Sequence, residues 1–332
     1  SFPPGRTTPC PRSAPDPAAA MPAEASSYTL SDLRDWETVA ASVQPRPRLA
    51  VLGDPVAHSR SPQMHNPALE AAGIDASYVR VHLAPGDLEE GIELMKGAGF
   101  IGFNATIPHK AAMHALVDEM TEEARRAKAV NTVLFDEGQL LGHNTDGPGF
   151  KRAVREAFSM DLTDLRILVL GAGGGAGQAV AAQAAMEHCE RLVLVNRTVE
   201  KAQALAADLR EAILDPDKLE GPANRLVAIP WEERAIEREI DQVDLIVNAT
   251  SLGMKRTDPS LLPQRFLQPH HLVYDMVYAP ARTRLMAEAE AAGARAVNGL
   301  GMLLWQGVYA FEFWFDGSAP VEAMRQGLHG SL

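Results

Sequence analysis

Cysteine is nearly absent from this 332-residue chain: only Cys10 and Cys189 occur. A disulfide framework is therefore not expected, and a reducing cytoplasm is the simplest location. Long hydrophobic runs are missing too. No stretch approaches the roughly 18 apolar residues a membrane span requires, and no apolar segment behind a basic start marks a secretory signal. Positive charge is in deficit, with 31 Lys and Arg against 43 Asp and Glu and a formal charge of -12. That balance argues against a nucleic-acid surface. The spacings of His58, His65, His109 and His143 match no standard ligand pattern, so no metal is expected. What is present, at 46% hydrophobic content, suffices for two domains with cores of their own.

Residues 1–47 read as a disordered or extended tail, because Pro3, Pro4, Pro9, Pro11, Pro15, Pro17 and Pro22 interrupt a stretch poor in apolar residues. Within it, Ser31 to Glu37 could begin a short capped helix. From residue 48 onward, strands and helices alternate. Arg48–Gly53, closed by its glycine, and Tyr78–Val81 read as strands, with helices over 62–72 and 86–96 between and after them. This rhythm argues for parallel βαβ units and an α/β fold. Asp136-Glu137-Gly138 separates two further apolar runs as a hairpin turn at the sheet's edge. A helix over 146–158 then leads to a second domain.

The stretch Asn104-Ala105-Thr106-Ile107-Pro108-His109-Lys110 follows a buried strand and enters a helix whose first turn tolerates Pro108. It offers an amide, a hydroxyl and an ammonium at one strand-to-helix junction, a usual place for reactive side chains. Asn131 and Asp146, also at strand edges, add an amide and a carboxylate, and His143 adds an imidazole nearby. Ser59 and Ser61 flank the start of the helix over 62–72, where free backbone donors and the helix dipole favour an anion. Ser61 could equally be that helix's N-cap. Gln306, in a helix that is apolar nearly all round, needs partners for a buried amide.

The second domain opens with the strand Arg166–Leu170 and the turn Gly171-Ala172-Gly173-Gly174-Gly175-Ala176, followed by a helix. This is the G-x-G-x-x-G/A pattern of dinucleotide binding in its strand-turn-helix context, with Ala176 in the third position. The next strand ends in Asn196-Arg197-Thr198, with Lys201 one turn on. Where an acid would meet the ribose of NAD, this chain presents a guanidinium that can pair with a 2′-phosphate, which selects NADP.

Taken together, His58-Ser59-Arg60-Ser61-Pro62, Asn104 to Lys110, Asn131-Thr132, Asn144-Thr145-Asp146-Gly147, the glycine turn, Asn196-Arg197-Thr198, Asn248-Ala249-Thr250-Ser251 and Gly299 to Gln306 resemble the shikimate dehydrogenase family. The resemblance implies a Rossmann-type NADP-binding domain over 147–298. It implies a smaller α/β substrate-binding domain with a mixed, mainly parallel sheet over 48–146, completed by helices within 299–332. It further implies Lys110 and Asp146 as the catalytic pair. Ser59 and Ser61 would hold the substrate carboxylate, and Thr106, Asn131, Asp146, Tyr278 and Gln306 would surround the ring. NADP(H) would be bound by 171–176, Asn196, Arg197, Thr198, Lys201, Thr250, Met276 and Gly299. The expected reaction is reversible reduction of 3-dehydroshikimate by a monomer or homodimer. A dual quinate/shikimate enzyme is the nearest alternative. A non-catalytic NADP-binding sensor on the same fold is the alternative of another class, and the presence of both Lys110 and Asp146 weighs against it.

Overall fold

Two sheets organise the chain, each covered by helices on both faces. The structure is a computed structural model and describes residues 27–214 and 225–330. The proline-rich stretch through Pro22 lies outside that range.

The first sheet holds β1 (Tyr28–Thr29), β2 (Pro47–Gly53), β3 (Ser77–His82), β4 (Gly102–Ala105), β5 (Glu119–Met120), β6 (Thr132–Asp136) and β7 (Gln139–His143), in the order β1-β3-β2-β4-β6-β7-β5. β6 runs antiparallel to β4 and β7, and the other pairings are parallel. Along β2, Leu49 and Val51 face one core and Ala50 and Leu52 the other. Side chains alternate across a strand, so a sheet buried on both faces demands this continuous apolar run. The hairpin forms where expected, with Glu137 and Gly138 both at positive φ, but β5 lies outside it at the edge.

Several helices accompany this sheet: α1 (Leu30–Arg34), α2 (Trp36–Val39), α3 (Ser61–Ala71), α4 (Leu88–Gly97), α5 (Lys110–Leu116) and α6 (Glu122–Ala127). The first two correct the expectation of a tail through residue 47. Tyr28 and Thr29 pair with β3, and Thr29 and Asp32 close a capping box. Leu33, Trp36 and Ala40 are buried in the same core as Ile92 and Phe103. Three apolar residues at helical spacing are too few to outweigh a proline-rich context in a compositional reading. Pro108 also departs from expectation. It lies in the turn before α5, and the helix begins only at Lys110.

The second sheet contains β8 (Arg166–Leu170), β9 (Arg191–Asn196), β10 (Leu226–Pro230), β11 (Leu245–Asn248), β12 (Leu272–Asp275) and β13 (Arg295–Val297). All pairings are parallel, in the order β10-β9-β8-β11-β12-β13. This is the doubly wound Rossmann order, and its reversal between β8 and β11 opens a crevice at the strands' C-terminal ends. β12 is shorter than its apolar run suggests because the Asp275 carboxylate accepts from Val277 N at 3.0 Å, turning the chain out of the ladder.

α7 (Asp146–Phe158) carries the chain between the sheets. α8 (Gly175–Met186), α9 (Val199–Leu209), α10 (Glu233–Ile240) and α11 (Arg284–Ala291) cover the second one. α12 (Leu300–Phe315) and α13 (Val321–His329) then return to pack beside α3 on the first sheet's core. α12 also lies along α7. A Cβ at Gly149 would stand 2.7 Å from Gln306 N, so glycine there is what lets Gln306 approach the interdomain cleft. The N-cap of α12, Gly299, has no side chain to offer, and the buried Tyr274 hydroxyl accepts from Met302 N at 2.9 Å instead. Among the described residues no helix is long and apolar enough to cross a membrane.

Candidate active site

A cleft of about 440 Å³ lies between the two sheets. Ser59, Ser61, Thr106, Lys110 and Asn131 line it from the first sheet, and Asp146 from the first residue of α7. Ala176, Met276, Tyr278 and Gly299 face them from the second sheet, and Gln306 closes one side from α12. Residues spread widely along the sequence therefore meet at one place. His58, Ile107 and Met254 also line the cleft, and sequence reasoning missed them as site residues. Ile107 and Met254 are large apolar side chains left 73% and 57% exposed, a signal legible only in three dimensions.

At one end stand the two serines. Ser59 Oγ is 3.2 Å from Ser61 Oγ and accepts from Ser61 N at 3.3 Å. Arg80 clamps their loop by donating from Nε and Nη2 to Ser59 O, at 2.8 and 2.6 Å. Ser61 is not an N-cap. It is the first residue of α3, Arg60 occupies the cap position, and no side chain caps the helix. Ser61 N is taken by Ser59 Oγ and Pro62 has no N–H, so the Ser59 and Ser61 hydroxyls beside the start of α3 are what suit a carboxylate.

At the other end, Lys110 Nζ donates to Asp146 Oδ2 at 2.6 Å. Asn131 Nδ2 donates to Asp146 Oδ1 at 2.9 Å and to Thr145 Oγ1 at 3.0 Å. Asn144 Oδ1 accepts from Asp146 N at 3.1 Å. The carboxylate is thus held on both oxygens, while Lys110 keeps other donors free for a ligand. Between the ends, burial raises the Tyr278 pKa against an opposing pull from Arg60 and Arg80, which keeps the phenol protonated and able to donate. Gln306 Nε2 bonds Leu303 O at 2.8 Å.

Two residues expected near the chemistry are employed elsewhere. Asn104 borders the cleft, but Asn131 O, Thr132 Oγ1 and the Tyr78 hydroxyl take up its amide. His143 bonds Thr121 Oγ1 and stacks on Phe313, and burial lowers its pKa. It does not line the cleft. Among the described residues no group of three His, Cys, Asp or Glu side chains could hold a metal ion.

The glycine turn fits a dinucleotide. Gly171 adopts φ +85°, and a Cβ there would lie 2.4 Å from Thr250 Cγ2, which places Thr250 against the turn. A Cβ on Gly173 would lie 2.8 Å from Asn196 Nδ2 and 3.0 Å from Lys201 Cβ. Ala172 buries its methyl group in the core, while Gly174 and Gly175 are exposed where α8 begins. That helix has no acid in its first turn and no side-chain cap, so its N–H groups are open to a pyrophosphate. The third small residue of the fingerprint needs correction. A Cβ at 177 would come within 2.4 Å of Gly171 O, so close packing of helix against turn depends on Gly177, whereas Ala176 faces the cleft. Arg197 and Thr198, just past β9, and Lys201, in the first turn of α9, are exposed, and neither cation is ion-paired among the described residues. Gly299 packs its Cα face against Met276 O, where a Cβ would be 2.1 Å away.

Comparison with known proteins agrees with this geometry. Family models match three segments: "Shikimate dehydrogenase substrate binding domain" at residues 51–133, "Shikimate / quinate 5-dehydrogenase" at 152–229, and "Shikimate 5'-dehydrogenase C-terminal domain" at 299–328. The chain is 41% identical over 282 residues to the shikimate dehydrogenase (NADP(+)) of Methanopyrus kandleri, covering 84% of this chain and 94% of that one. A solved shikimate dehydrogenase in complex with NADP+ superimposes with a TM-score of 0.77 at 34% identity, covering 85% of this chain and 94% of its own. The Thermus thermophilus enzyme in complex with NADP(H) and shikimate gives 0.74 at 37% identity, covering 86% and 100%.

Proposed function

The chain belongs to the shikimate dehydrogenase family, and from that premise we propose how its own side chains divide the work. It is an NADP-dependent oxidoreductase that interconverts 3-dehydroshikimate and shikimate in aromatic amino acid biosynthesis. The observation that carries the division of labour is the Lys110–Asp146 contact of 2.6 Å on the wall of the cleft. When bound, the cofactor supplies the hydride that the ketone carbon takes up, and the protein must supply the proton.

Lys110 delivers that proton to the oxygen as it becomes an alkoxide, and in the reverse direction receives it from the hydroxyl. Asp146 holds the ammonium in place and accepts from the neighbouring substrate hydroxyl, with Asn131 fixing its orientation. Ser59 and Ser61 bind the carboxylate at the far end. Thr106, Tyr278 and Gln306 complete the ring's surroundings. The α8 N-terminus takes the pyrophosphate, with Asn196, Thr198, Thr250, Met276 and Gly299 along the cofactor's path. Arg197 and Lys201 receive the 2′-phosphate, which sets NADP above NAD. Because one chain lines the whole cleft, a monomer or homodimer suffices, and a reducing cytoplasm suits a chain with so little cysteine.

Absorbance at the nicotinamide band tests this directly. Shikimate and quinate are each compared with NADP+ and NAD+, for wild type and Lys110→Ala. Reduction should be fastest with shikimate and NADP+ and be lost in the variant while both ligands still bind. Faster turnover of quinate or NAD+ would refute the roles given to Ser61 or Arg197.

A further inference from the structure

A second cavity, of about 210 Å³, opens between the loops that follow β11 and β12, and it shares no lining residue with the cleft. The loops meet where a Cβ at Gly253, whose φ of +104° favours glycine, would lie 3.6 Å from Thr283 Cβ. One buried carboxylate pins both. Asp275 Oδ1 accepts from Asn248 Nδ2 at 2.8 Å and Asp275 Oδ2 from the Thr283 hydroxyl at 2.6 Å, while Asn248 Nδ2 also donates to Leu252 O at 3.0 Å. The walls are thus formed before any ligand arrives.

Four cations line this cavity, Lys255 and Arg256 from the first loop and Arg282 and Arg284 from the second. In a chain with a formal charge of -12 that is a local reversal of sign. Arg282 donates from Nε and Nη2 to Glu290 Oε2, and Arg284 from Nε to Glu288 Oε1. Each guanidinium has five N–H donors, so both keep some for a ligand. The two arginines are 64% and 59% exposed, where such pairs contribute little and are easily redirected. Lys255 and Arg256 have no side-chain partner among the described residues. The one acid in the lining, Asp258, is turned to its own loop. Its Oδ2 accepts from Lys255 N at 3.0 Å and Gly253 N at 2.9 Å, and those bonds hold its carboxyl below the usual carboxylate range. Leu261 and Leu285, both buried, add apolar surface to the lining.

We propose that this cavity binds a small organic anion, a phosphate monoester or a dicarboxylate on an apolar body, between Lys255 and Arg256 on one side and Arg282 and Arg284 on the other. Guanidinium groups match the paired oxygens of phosphate and carboxylate, and the two leucines receive the carbon skeleton. The site is separate from the cofactor's phosphate positions at α8 and Arg197. Its first loop nevertheless also carries Thr250, which lies against the glycine turn, and Met254, which lines the cleft.

Calorimetric titration tests the assignment with the full chain saturated with NADP+, which fills the cofactor's phosphate positions, at constant ionic strength. Phenyl phosphate and phthalate represent the two kinds of anion, and inorganic phosphate lacks the apolar body. At least one of the first two should bind, one per chain, about tenfold more tightly than inorganic phosphate. The double variant Lys255→Ala, Arg256→Ala should weaken that binding roughly tenfold, with thermal midpoint and shikimate oxidation unchanged. Arg197→Ala and Ser61→Ala should leave it as it is. Failure of both organic anions to bind would overturn the proposal, as would an affinity unaltered in the double variant. Loss of binding in Arg197→Ala or Ser61→Ala instead would place the anion in the cleft and overturn it equally. Inorganic phosphate bound as tightly as the organic anions would remove the leucines from the site and refute the ligand class.

Discussion

Lys110 and Asp146 are each the first residue of a helix, 36 positions apart in sequence, and their side chains meet at 2.6 Å. A helix N-terminus stabilises the aspartate but not the lysine, so the ion pair is what makes an ammonium tolerable at the start of α5. Replacing Lys110 by alanine should lower kcat by about 10²–10⁴-fold, the usual worth of a positioned acid–base group. Circular dichroism and equilibrium binding of shikimate and NADP+ would show that fold and sites persist.

Arg197→Ala should raise KM for NADP+ by roughly 10–100-fold, the value of a charge-assisted hydrogen bond. Turnover with NAD+, which lacks the 2′-phosphate, should change little. Initial rates with the two cofactors decide the matter.

Gly177→Ala places a methyl group against Gly171 O. Overpacking of this kind costs about 1–3 kcal/mol, to be read from urea denaturation, and it should weaken NADP+ binding by moving α8 off the turn. Ala176→Gly, at the position the fingerprint singles out, should have the smaller effect.

Trp36 is 3% exposed and packs on Phe100 and Tyr28. Trp36→Ala should therefore cost roughly 3–5 kcal/mol in a denaturant titration. A dispensable tail would show no loss.

His65 is enclosed by Tyr78 and Trp314 with neither ring nitrogen hydrogen-bonded, and burial pushes its pKa down to about 3. In the unfolded chain it titrates near ~6.5. Between those values the unfolded state binds more protons, so this group makes stability fall as pH falls through that window and has no effect above it. His65→Phe keeps the stacking and removes the titration. Its urea midpoint should drop less than that of wild type between about pH 7 and about pH 4.

The strands that build both sheets were legible because two-sided burial demands unbroken apolar runs such as Leu49–Leu52 and Ile167–Leu170, and the dinucleotide turn because its glycines are contiguous. Lys110, Asp146 and the serines stood out by residue type at element boundaries. Local pattern could not reveal the packing of residues 28–40, whose few apolar side chains acquire meaning only against α4 and β4. Nor could it tell that Asn104 serves its neighbours rather than a ligand, since an amide looks the same in either role until its partners are placed. The choice of Gly177 over Ala176 is of the same kind, because steric exclusion depends on which Cβ direction meets a backbone oxygen. Short-range chemistry is written along the chain, whereas which polar groups satisfy one another is decided only when distant segments are brought within hydrogen-bonding distance.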